Sequence, residues 1–277
     1  MSISIHIIGL GVNQNAELNS HAQLALANAQ WVIASPRQLN VVEDLLIEQQ
    51  IKHLPPLSEL LTWINELDAT DSSEQTSVAV LASGDPLFYG IGAWFGRHFS
   101  KEQIQFYPAV SSIQAACHEM GLSLQDVDVL SLHGRPLEKI RSHIKQNQTL
   151  VILTDKNSVP KILAQECINA GFSKSTITVC EALGYKKQKV RSFIASELVN
   201  SNIEFDALHV SVIQTSGTGH HLAEFPGIAD EHFVTDSTAG KGMITKREVR
   251  LNILSLLQPA NEDVIWDIGA GCGSVAV

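Results

Sequence analysis

Short apolar runs alternate with segments of helical periodicity from the first residue to about residue 215. The runs are rich in β-branched residues and end at turn residues, which predicts strands at Ile3–Ile8, Trp31–Ala34, Val78–Ala82, Ile104–Tyr107, Val127–Leu132, Thr149–Leu153, Thr176–Cys180, Lys189–Ile194 and Leu208–Ile213. Because helical segments separate most of these strands, we expect an α/β fold with a mainly parallel sheet and right-handed crossovers.

The apolar run Val78–Ala82 stops abruptly at Ser83-Gly84-Asp85-Pro86. Pro86 fixes its own φ and pushes Asp85 toward an extended conformation, so Asp85 is held where the strand ends. Open α/β sheets bind ligands at the carboxyl ends of their strands, which makes Asp85 a candidate ligand contact. The alternative is an ordinary N-cap for a helix predicted over Leu87–His98.

Three other turns at strand ends carry candidate chemistry. Gly9-Leu10-Gly11 follows the first strand, but residue 14 is Gln, so this is no dinucleotide fingerprint and a plain turn is the alternative. Two serines open the helix after Pro108, where they serve first as cap residues and second as ligand contacts. His133-Gly134-Arg135 has the side chains to grip a carboxylate, although a surface turn has the same composition.

Composition excludes several function classes. The chain has 277 residues, is 44% hydrophobic and 17% charged, and carries a net charge of -10, which argues against a nucleic-acid surface. The four cysteines show no C-x-x-C pair and the histidines no H-E-x-x-H, so we expect buried free thiols, a reducing cytoplasm and no protein-bound metal. Met1–Gly11 lacks a signal peptide's features and no stretch reaches the ~18 apolar residues of a membrane span.

A second pattern begins near residue 225. Thr245–Leu257 predicts an amphipathic helix, and Val264–Ile268 predicts a buried strand that runs into the glycine-rich turn Gly269–Ser274. About fifty residues with one strand do not bury an independent core. We therefore expect the front end of a domain whose remainder is missing.

Five motifs together resemble the tetrapyrrole methylases, S-adenosylmethionine-dependent enzymes of cobalamin synthesis and related pathways. These motifs, in chain order, are Ile7–Gly11, Ser83–Gly90, Pro108–Ser112, Leu153-Thr154 and Cys180–Gly184. Gly-Asp-Pro-Leu-Phe-Tyr-Gly together with Leu132–Arg135 is similar to the C5-methylating, CbiE-type branch. One departure is that Val12-Asn13 follows Gly11, where the family usually has Pro-Gly.

The tail from Pro226 resembles the start of a CbiT-type methyltransferase domain, through Pro226–Ile228, Thr245, Glu248–Arg250 and Asp267–Gly273. An E-type domain followed by a T-type domain is the layout of the CobL type, so the chain resembles that type cut off early in its second domain. In that layout the second domain methylates C15 and decarboxylates an acetate side chain. We expect this second site to be inactive here, because the strand that would bring an acidic residue to the ribose is absent.

The resemblance implies a fold of two α/β subdomains with the methyl donor bound between them, and a homodimer. We place the subdomains at 1–110 and 111–217, and an incomplete Rossmann-like methyltransferase fragment at 225–277. The donor, S-adenosyl-L-methionine, leaves as S-adenosyl-L-homocysteine. The residues that the resemblance assigns to the donor are Leu10, Asp85, Phe88, Ser112, Ile113, Leu153 and Leu183.

The implied substrate is a precorrin or cobalt-precorrin, methylated at C5. Its several carboxylates call for cationic anchors, and Arg37, His133 and Arg135 are the candidates because each lies beside a turn at a predicted strand end. We identify no certain catalytic residue, since the reaction mainly needs its two partners positioned. The alternatives are another precorrin substrate, another substrate of the same fold (a translation factor or ribosomal RNA), a non-catalytic protein that binds the donor or a tetrapyrrole, and a generic α/β protein.

Overall fold

The computed structural model describes residues 3–69, 76–217, 219, 227–237, 241–260 and 262–277. The chain forms two compact units, Met1–Gly219 and His220–Val277. Within the described residues, the first unit contains two five-stranded sheets with helices between their strands.

The first sheet contains the five N-terminal strands, and all of its strand pairs are parallel. The strands are β1 (Ile3–Gly9), β2 (Trp31–Ala34), β3 (Gln50–His53), β4 (Thr76–Ala82) and β5 (Ile104–Tyr107), in the spatial order β3-β2-β4-β1-β5. The connecting helices are α1 (Ser20–Ala27), α2 (Pro36–Val41), α3 (Leu57–Ala69) and α4 (Gly92–His98), with a short 3-10 helix at Glu43–Leu45. The central strands β1 and β4 place buried apolar residues on both faces because helices cover both sides of the sheet, and the half-buried Ser4 and His6 are the polar exceptions in β1.

The second sheet is mixed. Its strands are β6 (Asp128–Ser131), β7 (Thr149–Leu153), β8 (Thr176–Glu181), β9 (Lys189–Ile194) and β10 (His209–Gln214), in the order β6-β7-β10-β8-β9. Of the described strand pairs in this sheet, only β6 and β7 are parallel, while β10 is antiparallel to both of its neighbours and β8 to β9. The expectation of mainly parallel pairing therefore holds for the first sheet and is wrong for the second.

Four helical segments accompany the second sheet: α5 (Ser112–Met120), a 3-10 helix at Leu137–Ser142, α6 (Pro160–Asn169) and α7 (Ala195–Leu198). Helix α5 contributes Ile113, Ala116 and Cys117 to a core cluster shared with β7, β8 and β10. The link between the two sheets therefore runs from the end of β5 to the start of α5. The precise subdomain limits at 110 and 111 stay a prediction.

The segment after β4 differs from the sequence prediction. The helix expected over Leu87–His98 begins only at Gly92, because the Asp85 carboxylate accepts hydrogen bonds from the backbone nitrogens of Leu87 and Phe88. These contacts hold a turn of the Asx type in place of the first helical turns. Residues Asp85 to Ile91 form a non-helical loop instead.

The second unit centres on helix α8 (Arg247–Leu257). Arg250 is buried and donates hydrogen bonds to the Asp230 carboxylate and to the carbonyl oxygens of Thr245 and Ile228, while its guanidinium lies 4.8 Å from the ring centroid of Phe233. This cluster of contacts ties α8 to the segment that precedes it.

The strand predicted at Val264–Ile268 is not formed. Trp266 is 81% exposed and Ile268 is 89% exposed, and the described residues of this unit contain no strand beside them. A strand needs a partner for its backbone groups, so the apolar run alone does not produce one. The Rossmann-like fragment is therefore not confirmed, and Pro226 of the motif that opened it lies outside the described residues.

Candidate functional site

A cavity of about 220 Å³ lies in the first unit where the loops after β1 and β4 face the ends of β7, β8 and β10. Both sheets contribute to its walls. All seven residues predicted to contact the donor line it, together with Arg37 from helix α2; the seven are Leu10, Asp85, Phe88, Ser112, Ile113, Leu153 and Leu183. The structure thus brings into one cavity residues that are up to 173 positions apart (183 - 10).

Asp85 shapes the cavity mainly through the backbone. One carboxylate oxygen accepts from the nitrogens of Leu87 (2.8 Å) and Phe88 (3.0 Å), and the other accepts from the nitrogen of Ala109 at 3.3 Å. Three of roughly four lone-pair directions are therefore occupied by the protein itself. Asp85 holds the loop that presents Phe88 and joins it to the segment before α5.

Two glycines form the floor of the cavity. Gly11 and Gly84 have φ values of +68° and +65°, and each donates its backbone nitrogen to the other's carbonyl, at 3.4 Å and 3.0 Å. A Cβ at position 84 would stand 3.4 Å from the Ser111 Cα, so the two segments approach each other closely. The floor is consequently backbone, which allows a ligand to approach peptide groups directly.

The Val12-Asn13 turn, where the chain departs from the family pattern, is closed from the other side by Gly184. This glycine has φ of +76°, and a Cβ on it would lie 2.7 Å from the Asn13 Oδ1 and 2.8 Å from the Val12 carbonyl oxygen. The backbone nitrogen of Gln14 donates to the Gly184 carbonyl at 3.1 Å. A second cavity, of about 520 Å³, lies against the same turn and shares with the first Leu10, Gly11, Val12, Asn13 and Leu183.

Ser111 and Ser112 both line the cavity, but only Ser111 caps helix α5. The Ser111 hydroxyl accepts from the Gln114 backbone nitrogen at 3.2 Å, and the Gln114 side chain accepts from the Ser111 nitrogen at 2.8 Å, which is a capping box. Ser111 is thus a cap. Ser112 opens the helix, lines the cavity and takes no part in that cap.

His209, at the start of β10, also lines the cavity and was not predicted. Its Nδ1 lies 2.7 Å from the Asp206 carbonyl oxygen and its Nε2 lies 2.9 Å from the Thr154 hydroxyl. The carbonyl requires a proton on Nδ1, so in the neutral ring Nε2 accepts from Thr154. No sequence signal marks His209, because only the pairing of β10 with β7 brings it beside Thr154.

Arg37 presents a cation to the cavity. Its guanidinium donates to the Ser83 hydroxyl at 2.8 Å, and no carboxylate pairs with it among the described residues. The other predicted anchors, His133 and Arg135, do not line the cavity. Arg135 lies beside its edge, with its guanidinium 5.6 Å from the ring centroid of Tyr89, which does line it.

The turn that carries His133 and Arg135 is held by Asp155. The Gly134 nitrogen donates to the Asp155 carboxylate at 2.9 Å, and the Asn157 nitrogen donates to it at 2.8 Å. These hydrogen bonds stabilise the ionised form and lower the pKa of Asp155 to about 2. The His133 Nδ1 lies 3.3 Å from the Thr154 carbonyl oxygen, which fixes the ring at the turn.

Neither arginine at the cleft has an acidic partner in the described part of the chain, which sets both apart from the paired arginines. The paired ones are Arg141 with Glu166, Arg191 with Glu181 and Arg250 with Asp230. In the described ranges, no three His, Cys, Asp or Glu side chains come together in a way that would hold a metal ion. Every helix of those ranges is too short or too polar to cross a bilayer.

Two protein families match the chain in separate segments. Residues 4–199 match the Tetrapyrrole (Corrin/Porphyrin) Methylases, and residues 236–277 match the Precorrin methyltransferase domain. The first match covers both sheets except β10 and includes most of the cavity described above.

Curated relatives carry related names. A precorrin-6Y C(5,15)-methyltransferase [decarboxylating] from Sinorhizobium sp is 34% identical over 98% of this chain, which spans 63% of that relative's length. A cobalt-precorrin-7 C(5)-methyltransferase from Salmonella typhimurium is 30% identical over 55% of this chain and 71% of its own. The chain therefore spans less than two thirds of the first relative's length, and the match to the second covers 71% of that relative.

Solved structures share the fold. The cobalamin biosynthesis precorrin-6Y methylase (cbiE) from Archaeoglobus fulgidus superposes with a TM-score of 0.57 at 21% identity, over 77% of this chain and 99% of its own. The uroporphyrin-III C-methyl transferase from Thermus thermophilus, complexed with S-adenyl homocysteine, superposes with a TM-score of 0.58 at 18% identity, over 76% of this chain and 97% of its own. The family and the fold predicted from the motifs are confirmed.

Proposed function

Because the chain belongs to the tetrapyrrole methylase family, we propose that its first unit transfers the methyl group of S-adenosylmethionine to C5 of a precorrin or cobalt-precorrin. One observation carries the proposal: one cavity gathers all seven residues expected at the donor, and its wall holds Arg37, which no carboxylate of the described residues pairs with. The names of the relatives, which include a cobalt-precorrin-7 C(5)-methyltransferase, support the choice of position.

The cavity suits the donor chemically. Leu10, Ile113, Leu153 and Leu183 give it apolar walls for a purine ring, and the glycine floor exposes peptide groups for polar contacts. Ser112, at the start of α5, adds a hydroxyl. When bound, S-adenosylmethionine supplies an electrophilic methyl group on a sulfonium.

The protein's contribution to the reaction is placement. One carbon–sulfur bond breaks, one carbon–carbon bond forms in line with it, and the substrate carbon releases one proton. The meso carbon of a reduced macrocycle is electron-rich and attacks without a strong base, so orientation carries much of the rate, as in reactions with effective molarities of ~10⁵–10⁸ M. The Asp85 loop and the Gly11–Gly84 pair fix the first sheet's side of this cleft.

The macrocycle is polyanionic, whereas the protein carries a net charge of -10. Binding therefore needs local cations that are not already neutralised. Arg37 in the cavity wall and Arg135 beside Tyr89 meet that need, since neither has a carboxylate partner in the described residues. We assign them, with His133, to the peripheral carboxylates.

Three expectations stay predictions. The second unit's site is not expected to methylate C15 or to decarboxylate, the first unit is expected to form a homodimer, and the protein is expected in the cytoplasm.

Mass spectrometry of precorrin-6B and precorrin-7, and of their cobalt forms, after incubation with S-adenosylmethionine carrying a deuterated methyl group tests the proposal. Gain of one labelled methyl without loss of carbon dioxide establishes C5 transfer, and product NMR locates the label. Gain of two methyls with loss of carbon dioxide contradicts the expectation that the second unit is inactive. Donor binding without transfer to any of the four substrates contradicts the proposal and favours a binding protein or another substrate.

A further inference from the structure

Tyr89 spans the cleft between the two sheets. It belongs to the loop after β4, yet its hydroxyl donates to the carbonyl oxygen of Val129 in β6 at 3.3 Å. Its side chain lines the cavity and the residue is 46% exposed. The side chain therefore joins the first sheet's loop to the second sheet without being part of either core.

The loop holds Tyr89 in a costly backbone conformation. Its φ is +56°, in the left-handed region that non-glycine residues avoid. Gly90 follows, where a Cβ would lie 2.5 Å from the Pro86 carbonyl oxygen, and the Gly92 nitrogen donates to that same oxygen at 2.8 Å. Backbone strain that the surrounding structure imposes in this way points to a function for the side chain it presents.

The Tyr89 ring in turn supports Arg135. The guanidinium stands 5.6 Å from the ring centroid, within the range of a cation–π contact, and its other contact is a 3.4 Å hydrogen bond to the Ser131 carbonyl oxygen. Phe88 packs edge-on against the Tyr89 ring with centroids 5.2 Å apart, a second contact that restricts the ring. The cation is thus oriented by weak contacts that leave its charge uncompensated by any described acid.

We propose that Tyr89 is a positioning residue that holds the Arg135 guanidinium at the rim of the cleft to receive one carboxylate of the substrate. The inference deepens the proposed function and rests on it for the identity of the substrate. It assigns specificity to a contact between the two halves of the unit: Arg135 comes from the second sheet, and the residue that orients it comes from the loop that also presents Phe88 to the donor.

Steady-state kinetics of four variants test this role. We expect Tyr89→Asn, whose side chain tolerates the left-handed backbone, to raise KM for precorrin-7 about tenfold with kcat and donor Kd changed less than twofold. Tyr89→Leu should behave alike, and Tyr89→Phe, which keeps the ring face, should stay within about threefold of the wild type. Arg135→Ala should raise KM by a similar factor to Tyr89→Asn.

The double variant separates positioning from general damage. If Tyr89 acts through Arg135, adding Tyr89→Asn to Arg135→Ala produces no further rise in KM. Multiplied effects, an equal rise in donor Kd, or an unchanged KM in Tyr89→Asn would each overturn the proposal. Should Tyr89→Leu fail to fold, Tyr89→Asn and Tyr89→Phe still decide it, with circular dichroism as the check of folding.

A binding measurement keeps this inference distinct from the proposed function. Fluorescence titration with uroporphyrin, an aromatic octacarboxylate, reports carboxylate recognition without turnover. We expect Arg135→Ala and Tyr89→Asn to bind uroporphyrin about tenfold more weakly than the wild type does. The wild type and the two variants should bind the octamethyl ester equally. If both variants lose uroporphyrin affinity but the wild type methylates no precorrin, the positioning role stands and the proposed C5 methyl transfer is rejected. Equal uroporphyrin affinity in all three proteins would reject the positioning role.

Discussion

The Ala109 nitrogen donates a 3.3 Å hydrogen bond to the Asp85 carboxylate, which joins the loop after β4 to the segment that leads into the second sheet. The same carboxylate also accepts from the Leu87 and Phe88 nitrogens. An acidic side chain in a candidate ligand site is thus largely engaged by the protein's own backbone. Its influence on a ligand passes through the shape of the loop.

Even an isosteric replacement of Asp85 should therefore weaken donor binding. In Asp85→Asn the amide oxygen can replace one carboxylate oxygen, but the amide nitrogen would face the Leu87 and Phe88 donors or the Ala109 donor. We expect the Kd for S-adenosylhomocysteine to rise about tenfold by calorimetry, as for the loss of one charge-assisted hydrogen bond. Asp126→Asn, at an exposed position outside the cavity, is the matched control; equal affinities in the two variants would refute the assignment.

Removing an arginine at the cleft should weaken binding of the tetrapyrrole substrate and not of the donor. We expect Arg37→Ala and Arg135→Ala each to raise KM for the tetrapyrrole about tenfold and to leave donor affinity intact, because each supplies a cation without an acidic partner in the described residues. Arg97→Ala, on the exposed side of α4 and outside both cavities, should change neither. Loss of donor binding in Arg135→Ala would contradict the assignment of Arg135 to substrate binding.

Gly184 offers a test of the turn that departs from the family pattern. Gly184→Ala adds a Cβ that clashes with the Val12 carbonyl oxygen and with Asn13, on top of the cost of a positive φ. At Gly121, the C-cap of α5, φ is also positive but nothing lies within 4 Å of an added Cβ. Urea unfolding should show a loss of about 1 kcal/mol for Gly121→Ala and a clearly larger one for Gly184→Ala, with weaker donor binding only in the latter.

The Asp155 carboxyl should titrate far below its usual range. Hydrogen bonds from the Gly134 and Asn157 nitrogens hold its pKa at about 2. A pKa lowered on folding adds stability above the unfolded value near pH 3.8, and that stability is lost as the pH falls toward 2. Carboxyl-carbon NMR should show the low pKa directly, and Asp155→Asn should flatten this part of the acid-unfolding curve; a pKa near 3.8 would contradict the turn's geometry.

The cysteines should differ in reactivity. Burial raises the pKa of Cys167 to about 12 and that of Cys180 to about 11, and Cys117 is buried too, with its pKa raised. Thiolates are the reactive form, so these three should react with a disulfide reagent only on unfolding. Cys272, which is partly exposed, should react first, and Cys272→Ser should remove that fast phase.

Local signals predicted most of the strands correctly. The residues that the family resemblance assigned to the donor line one cavity, and their contact with the donor stays a prediction. Gly84, Asp85 and Pro86 fix a turn by their own covalent properties, so the sequence alone locates it. Strand β3 was missed, since Gln50–His53 has no apolar alternation: it is an edge strand with three of its four residues exposed. The strand predicted at Val264–Ile268 had the apolar pattern, but no strand lies beside it in the described part of the second unit.

What depends on long-range pairing was beyond the sequence. The antiparallel insertion of β10 between β7 and β8 places His209 beside Thr154, 55 residues away. Likewise, the contact of Tyr89 with Val129 and Arg135 follows from how the two sheets meet, not from any local motif. Arg135 was predicted as a substrate anchor, but the residue that orients it was not.

The strand order also limits how the chain can fold during synthesis. In the second sheet, the central strand β10 is the last to be made, and β7 and β8 have no contact in register until it arrives between them. The first sheet, by contrast, is complete at Tyr107. A ribosome-bound chain should therefore hold a folded first half beside an open second half until residue 214 has left the exit tunnel, so the cleft closes in one late step.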